Sequence, residues 1–215
     1  MPRTVPRVIC VPDTNALVHL RSVSVAGRDA CLWLWDEFEV RVGDWIPREI
    51  QNMTGNKMAP GQIGGKLRKS VIKLDHALER MERCFLEPLG TRFAADEDIG
   101  ERVNSQVALQ LMARNSARHI IFLTDELKIM SPNIGFVWKV FNTYPIGLVW
   151  NSLDFLLYLF FRHTRFLYPQ AEDAIRDLNI KIGGKTEARL ARLTDYNRRL
   201  NSINTARQRL PMLWV

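Results

Sequence analysis

Short apolar runs alternate with amphipathic stretches along most of this chain. Residues 8–11 (VICV) are a continuous apolar run of strand length, the pattern of a strand buried on both faces, and Pro12 is expected to end its pairing. Ala16, Leu17, Val18 and Leu20 then carry a helix that Thr14 or Asn15 can cap. Residues 22–28 read as a flexible connection and 29–38 as a second helix, with Trp33 and Trp35 as core or interface anchors. Residues 39–47 form a second strand region, broken by Gly43 and closed by Pro47, which can open the helix that carries Glu49. The Gly, Pro and Asn cluster of residues 52–65 predicts a mobile loop. Residues 66–86 have helical period, with Leu67, Val71, Leu74, Leu78, Met81 and Phe85 on one face and Lys66, Arg68 and Lys69 largely on others.

Residues 91–95 are extended, and 95–114 carry a helical stripe of Ile99, Val103, Val107 and Leu111. A buried strand at 119–124 ends at Asp125 and Glu126; a helix at 133–144, a last strand at 146–150 and a helix at 152–162 follow. This alternation predicts an α/β fold, a three-layer parallel sheet with helices on both faces, over residues 1–162. Residues 163–215 read as a helical, basic C-terminal extension, and no internal repeat is visible.

Charge adds a partner class. The 215 residues hold 30 Lys and Arg against 23 Asp and Glu, a net charge of +7, which favours a polyanion: nucleic acid, RNA or DNA, first and an anionic membrane surface second. Residues 176–215 alone hold nine basic side chains against three acidic ones, and Lys185, Arg189 and Arg192 fall at helical spacing as a candidate phosphate-contacting stripe. Residues 153–161 are the most apolar stretch, yet they are half the length of a membrane span and include Asp154, so no membrane partner is expected. Cys10, Cys31 and Cys84 lack CxxC spacing and the N-terminus lacks a secretory pattern, which predicts a reducing, cytoplasmic setting. His19, His76, His119 and His163 show no ligand spacing. Walker A, GxGxxG, HExxH and nucleophile-elbow patterns are absent.

The candidate chemistry lies in carboxylates at strand ends and helix starts: Asp13 after the first strand, Glu49 after the second, Asp96 and Asp98 at the start of the Ile99 helix, and Asp125 and Glu126 after the 119–124 strand. Each alone is an ordinary helix cap or dipole partner. Brought within a few ångströms they cannot all stay ionised without a cation. Mg²⁺ or Mn²⁺ suits an all-oxygen, partly hydrated site, and one such ion, or two roughly 4 Å apart, can activate water for phosphodiester hydrolysis.

Those motifs resemble the PIN domain, a family of metal-dependent ribonucleases, over residues 5–162. VICVPDTNAL is similar to the family's opening strand with its Asp-Thr-Asn, which implies that Asp13 is a metal ligand supported by Asn15. IPREI resembles the segment of the second acid, Glu49, and the glycine-rich loop with KLRKSVIKL resembles the insertion of larger members. ADEDI resembles the third, selecting Asp96 with Asp98 in competition, and IIFLTDEL resembles the Thr-x-Asp ending built on Thr124, except that Glu126 holds the usual aspartate slot and Asp125 the variable one. The resemblance implies a Mg²⁺- or Mn²⁺-dependent endoribonuclease acting on single-stranded RNA through Asp13, Glu49, Asp96 and Asp125, with Asp98 and Glu126 as further candidate ligands. Lys66, Arg68, Lys69, Lys185, Arg189 and Arg192 are then the expected RNA contacts. A non-catalytic module of the same fold, binding RNA, a protein partner or a second copy of the chain, is the alternative.

Overall fold

Residues 8–54, 62–73, 99–114, 119–126, 128–129 and 136–210 are described by a computed structural model of the protein. In chain order the described elements are β1 (Ile9–Pro12), α1 (Thr14–Arg21), β2 (Ser24–Val25), β3 (Arg28–Asp29), α2 (Ala30–Glu37), β4 (Glu39–Val40), β5 (Val42–Gly43), α3 (Trp45–Thr54), α4 (Gln62–Ser70) and β6 (Val71–Ile72). Then come α5 (Ile99–Arg114), β7 (Ile120–Leu123), α6 (Phe136–Thr143), β8 (Gly147–Trp150), α7 (Ser152–Arg162), α8 (Tyr168–Ile182) and α9 (Thr186–Arg209). The chain divides into two compact units, Met1–Ala16 with Leu34–Val149 and Leu17–Trp33 with Trp150–Val215, so no single cut at residue 162 separates them.

The first unit is built on a sheet of order β4-β1-β7-β8 in which β1 is parallel to both neighbours. All four residues of β1 and of β7 are buried, which is why each reads as an unbroken apolar run. On one face Ile9, Val11, Ile120 and Phe122 join Val107 and Ala108 of α5 and Val137, Val140 and Phe141 of α6 in one core. Phe122 and Phe141 meet edge to face at 5.7 Å. A mainly parallel sheet with helices, its two central strands fully buried, is compatible with the three-layer α/β expectation.

Several local expectations are corrected. Pro12 does not end the strand: it stands opposite Leu123, and the Asp13 N–H still donates to Leu123 O at 2.8 Å. Odd-numbered residues of β1 donate to β7, so the missing Pro12 N–H faces β4 and ends only that pairing. Residues 24–29 form a hairpin, with Ala26 (φ 51°) and Gly27 (φ 77°) as its two-residue turn. Positive φ at both centres is the turn that matches strand twist, and an Ala in place of Asn or Asp hides it in the sequence. Helix α3 begins at Trp45, ahead of Pro47, whose absent N–H falls among the unpaired donors of a first turn, and it runs on to Thr54. Helix α4 takes in Gln62 to Gly65, so both ends of the expected loop are helical. The expected 66–86 helix instead stops at Ser70, because β-branched Val71 and Ile72 pair in parallel with Val42 and Gly43. Gly43 allows that ladder to lie on α5, since a Cβ there would collide with the Val103 side chain. The remainder of that helix, 74–86, with 91–98 and 133–135, lies outside the described residues.

In the second unit, α7 opens with a reciprocal capping box: Asn151 accepts from the Asp154 N–H at 2.8 Å while Asp154 accepts from the Asn151 N–H at 3.0 Å. Asp154 also accepts from the buried Tyr196 hydroxyl of α9 at 2.9 Å and pairs with Arg199 at 2.9 Å, whose guanidinium lies over the Tyr196 ring. Farther along α9, Arg207 donates to the carbonyls of Phe160 and Phe166 and lies 4.4 Å from the Phe160 ring centroid. Arg192 closes the α8–α9 turn by donating to Asn179 O (3.1 Å) and Gly183 O (2.7 Å) and to the Asn179 side chain, which in turn donates to Arg189 O at 3.0 Å. The helical extension is as expected. Its basic excess is not one solvated stripe, however, because Arg192, Arg199 and Arg207 are internal ties.

Arg192→Ala leaves several acceptors of a charged donor unmet, and a loss of about 1.5–3 kcal/mol of unfolding free energy is expected in a urea titration. Lys185→Ala, at an exposed position, is expected to stay within about 0.5 kcal/mol of the parent.

Candidate active site

The sheet order determines where a ligand crevice can lie. The chain leaves β1 towards β4 on one side and leaves β7 towards β8 on the other, so the adjacent carboxyl ends of β1 and β7 form a topological switch point. Asp13 and Thr124 are the residues that leave those two ends.

Asp13 is 4% exposed. Its Oδ1 accepts from the Thr14 N–H at 2.6 Å and its Oδ2 from the Thr124 hydroxyl at 3.1 Å. Helix α1 begins at Thr14, so Asp13 itself occupies the capping position expected for Thr14 or Asn15. The Thr14 hydroxyl donates to Glu49 Oε2 at 2.6 Å, and the Thr124 hydroxyl accepts from the Glu126 N–H at 3.1 Å. Thr14 thus links Asp13 to the Glu49 carboxylate, and Thr124 links it to the backbone of Glu126. Glu49 lies against the first turn of α5: a Cβ on Gly100 would fall 2.8 Å from its Oε2, and the partial positive charge of a helix start favours a carboxylate there. Asn104 of α5, fully buried, donates to Pro12 O at 3.1 Å and accepts from the Gly43 N–H at 3.2 Å, fixing the strand end from behind.

Burial is the main reason that the Asp13 carboxyl is raised from 3.8 to about 7; the bonds from Thr14 and Thr124 oppose the rise, and the charges of Glu49 and Glu126 add to it. A carboxylate so placed stays ionised at neutral pH only at a cost, and a cation would relieve it.

The expected residues separate into groups. Asp13, Glu49, Thr124 and Glu126 come together. Asp125 is buried beside them at the end of β7, and Asn15 is half-buried in the first turn of α1. Asp96 and Asp98 lie outside the described residues. Arg68 and Lys69 are exposed on α4, and Lys66 pairs with Asp36 at 3.7 Å. Lys185, Arg189 and Arg192 belong to the second unit, where the guanidinium of Arg192 is held by backbone and Asn179 acceptors rather than offered to a phosphate. The sequence presents Thr14 only as a helix cap and gives Asn104 no role. A polar residue inside the Val103 and Val107 stripe was the available signal for Asn104.

Among the described residues, no three acidic, histidine or cysteine side chains stand close enough together to hold a metal ion. The groups around Asp13, the Glu49 and Glu126 carboxylates that act on it and the Thr124 hydroxyl that bonds it, offer only oxygen, which suits a hard cation in kind. Comparison with protein-family models, with curated proteins and with solved structures finds no match to this chain. Among the described residues no helix is long and apolar enough to cross a membrane.

The raised Asp13 carboxyl makes stability depend on pH. Between the ordinary aspartate value and about pH 7 the folded state keeps a proton that the unfolded chain has released. The group's contribution is therefore fully present below that window and lost as pH rises through about 7. Asp13→Asn keeps the shape without the charge. It is expected to raise stability above pH 7, by an amount on the order of a few kcal/mol, and to flatten the pH profile of the thermal midpoint between pH 4 and 8.

Proposed function

We propose that the first unit is a PIN-like, divalent-metal-dependent endoribonuclease that hydrolyses phosphodiester bonds of single-stranded RNA at the Asp13 crevice. The observation that carries this reading is the buried Asp13 carboxylate at the switch point, with the charges of Glu49 and Glu126 acting on it; Glu126 itself pairs with Lys128 at 3.1 Å. Asp13, Glu49 and Glu126 would hold Mg²⁺ or Mn²⁺, and the motif resemblance adds Asp96 or Asp98. Bound there, the metal supplies charge neutralisation and a water of lowered pKa.

The protein side chains have separate tasks. Thr124 holds the Asp13 carboxylate in one orientation, and Thr14 does the same for Glu49. Asn104 fixes the backbone from which Asp13 projects. Of the two acids after β7, Glu126 takes the ligand role in place of Asp125, because its charge acts on Asp13 and it fills the slot of the Thr-x-Asp pattern. Arg68 and Lys69, exposed in the same unit, are the candidates for backbone phosphates, with Lys66 beside them.

One observation favours the second reading, a non-catalytic RNA- or protein-binding module: three candidate ligands do not stand within metal-binding distance among the described residues. Calorimetric titration with Mn²⁺ beside a cleavage assay on a single-stranded RNA separates the two. Saturable Mn²⁺ binding with EDTA-sensitive cleavage is expected, and RNA binding with neither would leave the module.

Asp13→Asn is expected to lower the cleavage rate by about 10²-fold or more, the scale of removing one preorganised electrostatic group. Glu126→Gln is expected to cost more than Asp125→Asn in the same assay. The reverse order would give the fourth ligand to Asp125.

A further inference from the structure

The second unit carries a groove that the proposed nuclease chemistry does not use. It lies between α8 and α9, has a volume of about 290 Å³ and is lined by Ile180, Leu190 and Leu193 with Arg176 and Arg189 at its edge. Ile180 and Leu190 are 58% and 60% exposed, unusual for two large aliphatic residues side by side. The apolar face of α8 that serves the core is a different one, formed by Ala171, Ala174, Ile175 and Leu178. The groove is also held open in a fixed shape: Arg192 and Asn179 tie the α8 end, the Gly183 turn and α9 together, so little ordering is left for a ligand to impose.

We infer that this groove docks an acidic amphipathic helix of a partner protein. The lining chooses the chemistry. Its walls are aliphatic and hold no aromatic ring on which a base could stack, which sets it apart from single-strand binding surfaces. Its two charged residues are both arginines, and no carboxylate lines it, so the complementary helix carries leucine-like anchors on one face and glutamate or aspartate beside them. Arg176 is paired on its own helix with Asp173 at 3.0 Å, which leaves Arg189 as the main cation towards the partner. The basic stripe expected for phosphate binding loses Arg192 to the turn, so RNA is the weaker fit to this face.

The test uses the full chain and a fluorescein-labelled helical peptide with leucines at i, i+4 and i+7 and glutamates on the flanks, read by fluorescence anisotropy. The same peptide with lysines in place of glutamates and a labelled uridine oligonucleotide are run beside it. The glutamate peptide is expected to bind and the lysine peptide not to. Ile180→Ser with Leu190→Ser, both at exposed positions that leave the fold intact, should weaken binding by about tenfold or more, the effect of losing packed anchors. Arg189→Glu should weaken the glutamate peptide and confer binding of the lysine peptide. The inference is overturned if the glutamate peptide fails to bind or is indifferent to these substitutions. It is equally overturned if the substitutions abolish oligonucleotide binding instead, or if sedimentation shows that they disrupt a self-associated form of the chain. Cleavage by the first unit is expected to be unchanged in the Ile180→Ser, Leu190→Ser double variant.

Discussion

A carboxylate buried where two parallel strands end is the constraint on which the first unit depends. Burial favours the neutral form of Asp13 by desolvation, and Glu49 and Glu126 increase the penalty on ionisation. What partly compensates is local and specific: a helix-start N–H from Thr14 and a hydroxyl from Thr124. Both depend on register. Asp13 meets Thr124 only because Pro12 stands opposite Leu123, and that pairing survives the proline because its missing N–H faces the other neighbour. A slip of one residue would turn the side chains of β1 to the opposite face and separate the pair. The core of Ile9, Val11, Ile120 and Phe122 therefore positions the carboxylate as well as stabilising the sheet.

The second unit uses charge in the opposite way. Arg192, Arg199 and Arg207 each reach acceptors within the unit, and Asp154 joins a helix cap, a tyrosine hydroxyl and a guanidinium at one point. Arginine suits this task because its planar fork can meet several carbonyl or carboxylate oxygens at once and its stem covers apolar surface. A net charge of +7 is therefore an overestimate of the positive surface open to a polyanion.

The sequence made the strands and the acids at their ends legible, for a physical reason. Fully buried parallel strands must be continuous apolar runs, and β1 and β7 have nearly the extents read from residues 8–11 and 119–124. Asp13 stood out because it follows such a run directly. Elements governed by tertiary partners were not legible. Val71 and Ile72 fit a helical stripe, yet they pair with β5, and nothing local announces a two-residue parallel ladder. The hairpin at 24–29 was hidden by an alanine at positive φ. The fates of Arg189 and Arg192, three residues apart on one helix, diverge because Arg192 faces the Gly183 turn and Arg189 the groove. Helical spacing alone does not distinguish the two.

The two threonines show why a site can be legible in its acids and hidden in its geometry. Thr14 appears in the sequence as a helix cap and Thr124 as part of a short motif, but in the fold Thr14 bonds Asp13 through its N–H and Glu49 through its hydroxyl, while the Thr124 hydroxyl bonds Asp13 and the Glu126 N–H. A hydroxyl can donate to one carboxylate and still accept from another group, so Thr124 orients Asp13 without neutralising it. Lysine or arginine in the same positions would satisfy Asp13 outright and lower its pKa. Leaving Asp13 oriented but without a paired cation makes its ionisation costly at neutral pH.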